Sequence, residues 1–364
     1  MLIFTKYGVS VMNLNIIKTK NYKKKPDENS LGFGNIFTDH MFVMEYDSGK
    51  GWHSARIEPY GPFSLSPATS VFHYGQAIFE GMKAYRTSNG DIQLFRANDN
   101  IQRLNRSAKR MCIPQFDEDF IMDSLKKLLE IDQDWIPSQP GTSLYIRPSI
   151  IAADQYLGLK SSSHFILFII MSPVGAYYSE GFNPVKIWVT KDYVRAVPGG
   201  VGEAKTAGNY AASLYATEEA SKNGYTQVLW LDGVERKYIE EVGAMNIFFV
   251  INNEIITPKL TGSILSGITR DSVIKIAKEE KFTVREERIS IETVIKAHEE
   301  GSLSEVFGSG TAAVISPVGE IAYGDKKMII QDGKTGPISK KFFSLLTDIQ
   351  YGKTEDKFNW IIKL

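Results

Sequence analysis

Lys205 lies among small neighbours, in the run Gly199-Gly200-Val201-Gly202-Glu203-Ala204-Lys205-Thr206-Ala207-Gly208-Asn209-Tyr210. Glycine and alanine on both sides let a flat, bulky partner come close to the lysine stem. Further along, Glu240-Glu241-Val242-Gly243-Ala244-Met245-Asn246 carries two carboxylates into a strongly apolar run. A lysine amine holds an aldehyde as a Schiff base, and a buried carboxylate keeps a ring nitrogen protonated. That pair of groups is what a pyridoxal-phosphate site needs.

Three further segments are suited to an anion. Ile264-Leu265-Ser266-Gly267-Ile268-Thr269-Arg270 leads into a helix, whose first turn offers backbone N–H groups and the positive end of the dipole. Phe307-Gly308-Ser309-Gly310-Thr311-Ala312-Ala313 ends a strand in a small-residue turn of the kind that cradles anions. Arg103 sits on a helical face that alternates arginine with apolar residues. Each also has a plain structural reading: a capped helix start, an ordinary turn and a solvated basic face. Tyr210 reads equally as a core tyrosine, and His73-Tyr74 as an acid–base pair or as a structural histidine. The chain has five histidines and no H-E-x-x-H spacing, so no metal site is expected. G-x-S-x-G, Walker A and G-x-G-x-x-G patterns are absent, and Gly308-Ser309-Gly310 lacks the third glycine of a dinucleotide loop.

Joint occurrence and order raise these signals. Glu241 to Phe248, then Ile255-Ile256-Thr257, then Leu265 to Arg270 resemble the signature of class IV pyridoxal-phosphate aminotransferases, spacing included. Phe33-Gly34, Phe37 to Met41, His73-Tyr74, Phe79-Glu80-Gly81-Met82-Lys83, Arg103 with Arg106-Ser107-Ala108, Tyr145-Ile146-Arg147-Pro148 and Gly308 to Ala312 narrow the resemblance to branched-chain amino-acid aminotransferases, over about residues 30 to 360. The resemblance implies amino transfer between leucine, isoleucine or valine and 2-oxoglutarate, with pyridoxal 5′-phosphate as cofactor. A D-amino-acid aminotransferase, an aminodeoxychorismate lyase and a non-catalytic amino-acid-binding protein are the alternatives. The Tyr145/Arg147 pair and the Glu-Gly-Met-Lys segment argue against the first two, and an intact Lys205 and Glu241 against the third.

Residue by residue, the resemblance makes Lys205 the Schiff-base lysine and proton carrier, and Glu241 the acid at the pyridine nitrogen. It places Tyr210 at the ring hydroxyl, and Arg103, the backbone of Ile268 and Thr269, and Thr311 at the phosphate. Phe33, Phe79 and Tyr145 match apolar walls of the substrate pocket. Arg147 matches an arginine suited to the second carboxylate of glutamate, and Ala244 and Ala312 match positions whose backbone meets the α-carboxylate. Tyr74 matches a residue given by a partner subunit, which implies a homodimer. Two features depart from some relatives: Ala313 and Ser316 stand where a C-x-x-C is found, and Ala244 where a threonine is found.

The elements that must position these groups form an α+β chain. Strands are expected at Met41 to Tyr46, Asp91 to Phe95, Ser143 to Ala152 and His164 to Ser172, with helices at Asn98 to Met111 and Glu118 to Ile131. The second half adds strands at Val185 to Thr190, Val228 to Leu231, Met245 to Ile251 and Thr283 to Ile289, a strand-rich stretch from Ser304 to Val318, and helices at Tyr210 to Lys222, Gly267 to Glu280 and Ile291 to Glu299. A helix from Ile338 to Tyr351 is expected to close the chain. The division is a flexible arm over 1–30, a smaller N-terminal α/β domain over 31–173, a linker over 174–184 and a larger cofactor-binding domain over 185–364. The resemblance gives the last a pseudo-barrel of strands and helices, as in the two-domain fold-type IV enzymes. No repeat or low-complexity tract is present.

The bulk numbers agree. The chain has 364 residues, 43% apolar and 23% charged, enough for a sizeable core. Its 42 basic and 42 acidic side chains balance, which argues against nucleic acid or an anionic membrane as the main partner. Cys112 is the single cysteine, so no internal disulfide forms and a reducing, cytoplasmic setting fits.

Overall fold

Burial alternates residue by residue from Leu144 to Ala152 within the strand Ser143–Ala152, the mark of a strand with one face on a core. Around it a sheet assembles in the first of two contact units, Met1–Gly175 with Ile362–Leu364. The computed structural model describes residues 12–175 and 182–364. In chain order this unit has β1 (Asn15–Ile16), β2 (His40–Asp47), β3 (Gly51–Pro59), helix α1 (Ser70–Tyr74), β4 (Ala77–Phe79), β5 (Met82–Arg86), β6 (Ile92–Phe95), α2 (Ala97–Arg110), α3 (Glu118–Ile131), β7 (Ser143–Ala152) and β8 (His164–Val174). The sheet order is β1-β3-β2-β8-β7-β5-β6, with β4 on β7 and the chain's last strand, Ile361–Lys363, beside β6.

One sheet face carries Phe42, Ile57, Leu94, Ile146 and Leu167 against Ile101 and Leu104 of α2 and Leu125 and Leu128 of α3. The helices begin where local chemistry allows. Asp117 caps α3 by accepting the Phe120 N–H at 3.0 Å, with Glu118 and Asp119 in the first turn.

Residues 12 to 25 differ from the loose arm expected over 1–30. Asn15 and Ile16 pair with Arg56 and Ile57. The Thr19 N–H donates to His40 Nε2 at 2.9 Å, and the Lys23 N–H to Asp39 at 2.9 Å. His40 is itself held at 2.7 Å by Asp132. The basic run Lys18 to Lys25 thus lies on a buried acidic anchor, which hydropathy alone does not reveal. Residues 1–11, and 176–181 of the expected linker, lie outside the described residues.

The second unit, Ala176–Ile361, contains β9 (Val185–Val189), α4 (Ala207–Lys222), β10 (Gln227–Leu231), β11 (Ile239–Val242), β12 (Met245–Ile251), β13 (Glu254–Pro258), α5 (Ile268–Glu279), β14 (Val284–Glu287), α6 (Ile291–Glu299), β15 (Leu303–Gly310), β16 (Val314–Tyr323), β17 (Lys326–Ile329) and α7 (Pro337–Gln350). Its strand order is β11-β10-β9-β16-β15-β12-β13-β14, and an added β11–β12 pairing closes β11, β10, β9, β16, β15 and β12 into a ring. This is the barrel-like sheet that the sequence resemblance implies. Ile187, Leu229, Val242, Ile247, Phe249, Val306 and Ile321 belong to its core. Helix α4 packs Ala216 and Ala220 on Val228 and Trp230.

Helix α7 does not close the chain, contrary to expectation. A three-residue strand follows, β18 (Ile361–Lys363), and the Leu364 N–H bonds the Ile92 carbonyl at 3.0 Å. So short a strand has no periodicity of its own and exists only through distant pairing. Among the described residues no helix is long and apolar enough to cross a membrane.

Candidate active site

The β11–β12 hairpin sets the acid. Glu241 pairs with Asn246 and Val242 with Met245, leaving Gly243-Ala244 as the turn. Gly243 has φ +55°, and an added Cβ would run into the Gln227 side chain, so the tight return depends on glycine. Glu241 is 3% exposed. Asn246 donates from Nδ2 to Glu241 at 3.1 Å and to the Leu265 carbonyl at 3.0 Å. Gly267 makes room for Asn246, because a side chain at 267 would overlap its amide oxygen.

Burial pushes the Glu241 carboxyl up to about 7; Arg195 and Lys205 oppose this, and Glu240 adds to it. Arg195 lies in direct ion-pair contact with Glu241, both side chains buried. Its Nε finds no aligned hydrogen bond, so the contact is one of charge. Arg195 is pinned by the carbonyls of Gly202 and Ser263. Glu240, also buried, receives the Ser263 hydroxyl, and burial raises its carboxyl as well.

Lys205 lies just before α4, and its Nζ donates to the Tyr210 hydroxyl at 2.7 Å. Asn209 ties the lysine loop down through the carbonyls of Val201 (2.9 Å) and Ala204 (3.0 Å). Tyr210, Glu241, Ala244, Arg195, Ser213 and Leu265 are among the residues lining one cavity. Thus the structure brings together Lys205, Tyr210, Glu241 and Ala244. Ile268 and Thr269 form the first turn of α5 behind Gly267. Thr311 and Ala312 lie half-buried in the turn between β15 and β16.

The first unit carries the other expected residues. Ile78, Met82, Ala84, Leu144 and Ile146 belong to the helix-side core, so Phe79, Lys83, Tyr145 and Arg147 occupy the opposite sheet face. There the Phe33 and Tyr145 rings meet edge-on at 5.1 Å. The Arg147 guanidinium lies 4.8 Å from the centre of Phe79 and 5.2 Å from that of Tyr145, and Nη2 donates to the Tyr145 hydroxyl at 3.1 Å. Arg147 Nε is buried with no hydrogen-bond partner among the described residues. A cation on two aromatic faces with unspent donors suits an aliphatic chain and a carboxylate alike. Arg103 is buried on α2, its Nε and Nη2 on Glu80 at 2.7 and 3.0 Å. Tyr74 is exposed at the end of α1, bonded to the Leu157 carbonyl. His73 serves the local fold: its Nε2 lies 2.9 Å from the Pro67 carbonyl.

Arg195, Asn246, Glu80 and Lys83 were not assigned roles from sequence. Asn246 and Glu80 lie inside the motifs already quoted. Arg195 is a lone basic residue in a loop and carries no signal. Lys83, buried and opposite Tyr145 across the β5–β7 pairing, is held down to about 8 by burial. A separate cavity of about 390 Å³ in the first unit, lined by Glu45, Arg56, Glu58, Phe63, Leu65 and His164 among others, contains none of the expected residues. Among the described residues no group of three or more His, Cys, Asp or Glu is arranged to hold a metal.

The amino-transferase class IV family profile matches residues 77–321. The chain is 56% identical to branched-chain-amino-acid transaminase 1 of Bacillus subtilis (strain 168), over 95% of this chain and 98% of the relative. It is structurally similar to the branched-chain amino acid aminotransferase of Escherichia coli, with TM-score 0.74 and 29% identity over 89% of this chain and 98% of that one. It is similar too to the branched-chain aminotransferase of the thermophilic archaeon Thermoproteus uzoniensis, solved with norvaline, with TM-score 0.74 and 26% identity over 89% of this chain and 99% of that one.

Proposed function

The chain belongs to the amino-transferase class IV family, and we propose how its residues divide the work of a branched-chain amino-acid transaminase. The enzyme exchanges the amino group between leucine, isoleucine or valine and 2-oxoglutarate, with pyridoxal 5′-phosphate as cofactor. When bound, the cofactor supplies an electron-withdrawing ring that stabilises negative charge at the substrate α-carbon.

The observation that carries the assignment is the cluster around one cavity: a lysine amine on a tyrosine hydroxyl, and a buried acid on an arginine. The residues fit the group. Glu241, buried beside Arg195, would pair as a carboxylate with the protonated ring nitrogen. Lys205 would hold the cofactor's aldehyde through its amine and, once released, would move the proton at the substrate α-carbon. Tyr210 accepts from Lys205 Nζ and would meet the ring hydroxyl. Ile268 and Thr269 offer helix-start N–H groups to the phosphate, joined by Thr311 and Arg103. Phe33, Phe79 and Tyr145 exclude water around an aliphatic side chain. Arg147 takes the second carboxylate of glutamate, and the backbone at Ala244 and Ala312 meets the α-carboxylate.

A homodimer supplies Tyr74 to the neighbouring site. In support, Phe72 (61% exposed), Tyr156 (50%), Leu157 (65%) and Leu159 (82%) leave large apolar groups in water near Tyr74. The single cysteine supports a cytoplasmic setting. The test of function is exchange of L-leucine with 2-oxoglutarate, against D-alanine as amino donor. The reading requires glutamate formation from L-leucine; turnover of D-alanine without L-leucine would replace it with a D-amino-acid aminotransferase.

A further inference from the structure

Glu80 has no exposed surface and stands where β4 gives way to β5 along the edge of β7, its N–H on the Pro148 carbonyl at 2.8 Å. A buried carboxylate is tolerated only when its lone pairs are filled, and here they are filled from two directions. Oε1 accepts Arg103 Nε at 2.7 Å. Oε2 accepts Arg103 Nη2 at 3.0 Å, Asn100 Nδ2 at 2.8 Å and the Gly81 N–H at 3.1 Å. Asn100 also donates to the Gly81 carbonyl at 3.1 Å, so the Gly81 peptide is clipped on both sides.

The hydroxyl end of the Tyr145 side chain lies against Gly81. A Cβ at 81 would come within 2.9 Å of Tyr145 Cζ, closer than real side chains approach. Tyr145 in turn accepts Arg147 Nη2 and packs on Phe33. One carboxylate therefore anchors Arg103 at one end and, through the Gly81 backbone, the seat of Tyr145 and Arg147 at the other.

We propose that Glu80 is a positioning residue that couples the cofactor-side arginine, Arg103, to the substrate wall formed by Tyr145 and Arg147. The proposal rests on the reading of Arg103 as a phosphate contact and of Tyr145 and Arg147 as pocket residues. Glutamine cannot substitute. Its amide nitrogen would face either the three donors now on Oε2 or the Arg103 Nε on Oε1. Aspartate keeps two acceptors on a shorter stem.

The experiment compares the wild-type holoenzyme with Glu80→Gln, Glu80→Asp, Asn100→Ala and Arg103→Lys. The readouts are release of pyridoxal 5′-phosphate on dilution, KM for 2-oxoglutarate and for leucine, kcat, and the melting temperature. Losing a charge-assisted hydrogen bond corresponds to roughly tenfold in an equilibrium. Glu80→Gln is expected to weaken cofactor retention about tenfold and to raise KM for 2-oxoglutarate about as much, with kcat changing less. Glu80→Asp recovers part of both effects, and Asn100→Ala shifts both in the same direction by less. A folded Glu80→Gln with both quantities within about twofold of wild type, or with only one of them moving, overturns the coupling. If Glu80→Gln does not fold, Asn100→Ala decides by the same criterion. Arg103→Lys separates the two levels. Weaker retention there with an unaffected Glu80→Gln overturns the coupling and leaves the phosphate reading standing. Unchanged retention in Arg103→Lys removes the phosphate reading itself.

Discussion

Replacing Glu241 with glutamine changes how stability depends on pH, and the structure gives sign and size. The carboxyl sits at about 7 in the folded chain against an ordinary 4.5. Burial is the largest cause, and the Arg195 charge only partly offsets it. Between those pH values the unfolded chain has lost the proton and the folded one keeps it. The folded state binds more protons there, so stability falls as pH rises. At 1.36 kcal/mol per unit over the interval from 4.5 to about 7, the group costs about 3.4 kcal/mol once pH passes the folded value. Glutamine carries no such proton. Whatever constant offset the substitution brings through Arg195, the difference in slope isolates this one group. Urea unfolding of cofactor-free wild type and Glu241→Gln, from about pH 4.5 to about pH 7.5, measures it. Wild type is expected to lose about 3 kcal/mol relative to the variant across that range. Two curves parallel to within about 0.5 kcal/mol would refute the claim that this acid is held in a dry site.

The other predictions follow from the same contacts. Arg195→Leu removes the charge beside Glu241 and raises its carboxyl by about 1 to 3 further units. Infrared difference spectra should then show the protonated carboxyl persisting to higher pH than in wild type, and an unmoved band counts against the pair. Lys83, lowered from 10.5 to about 8 by burial, works with the opposite sign. Between those values the unfolded chain holds the proton and the folded one does not, so stability rises with pH by about 3.4 kcal/mol relative to Lys83→Met; a flat difference in chemical unfolding contradicts it. On the proposed homodimer, Phe72→Asp, at an exposed apolar position, should leave the far-ultraviolet spectrum intact and shift sedimentation from dimer to monomer, while an unchanged sedimentation coefficient removes that face from the proposed interface.

Much of the architecture was legible because long apolar or alternating runs admit one reading. Ser143–Ala152, Met245–Ile251 and Ile291–Glu299 have the bounds expected from sequence. Gly51–Pro59 was not legible. Its polar and charged residues alternate weakly, and it is a strand because β2 and the N-terminal segment pair with it. Ile239–Val242 reads Ile-Glu-Glu-Val, which no hydropathy pattern marks as a strand buried at every position. It is buried because it closes the barrel through β12, and its carboxylates are sustained by Arg195, Ser263 and Asn246. The site divides similarly. Lys205, Tyr210 and Glu241 stand out through their neighbours and order. Arg195 comes from a loop, and the bond between Glu80 and Arg103 joins a strand junction to a helix, an adjacency that only the folded chain creates.

The claim on which the rest depends is that Lys205 carries the cofactor. Reducing the holoenzyme with borohydride fixes the pyridoxyl group to the amine that holds it, and peptide mass spectrometry locates that amine. The account predicts modification of Lys205 in the peptide that also contains Tyr210. A pyridoxyl group on Lys83, a buried lysine held down to about 8, or no modified lysine at all, would contradict it.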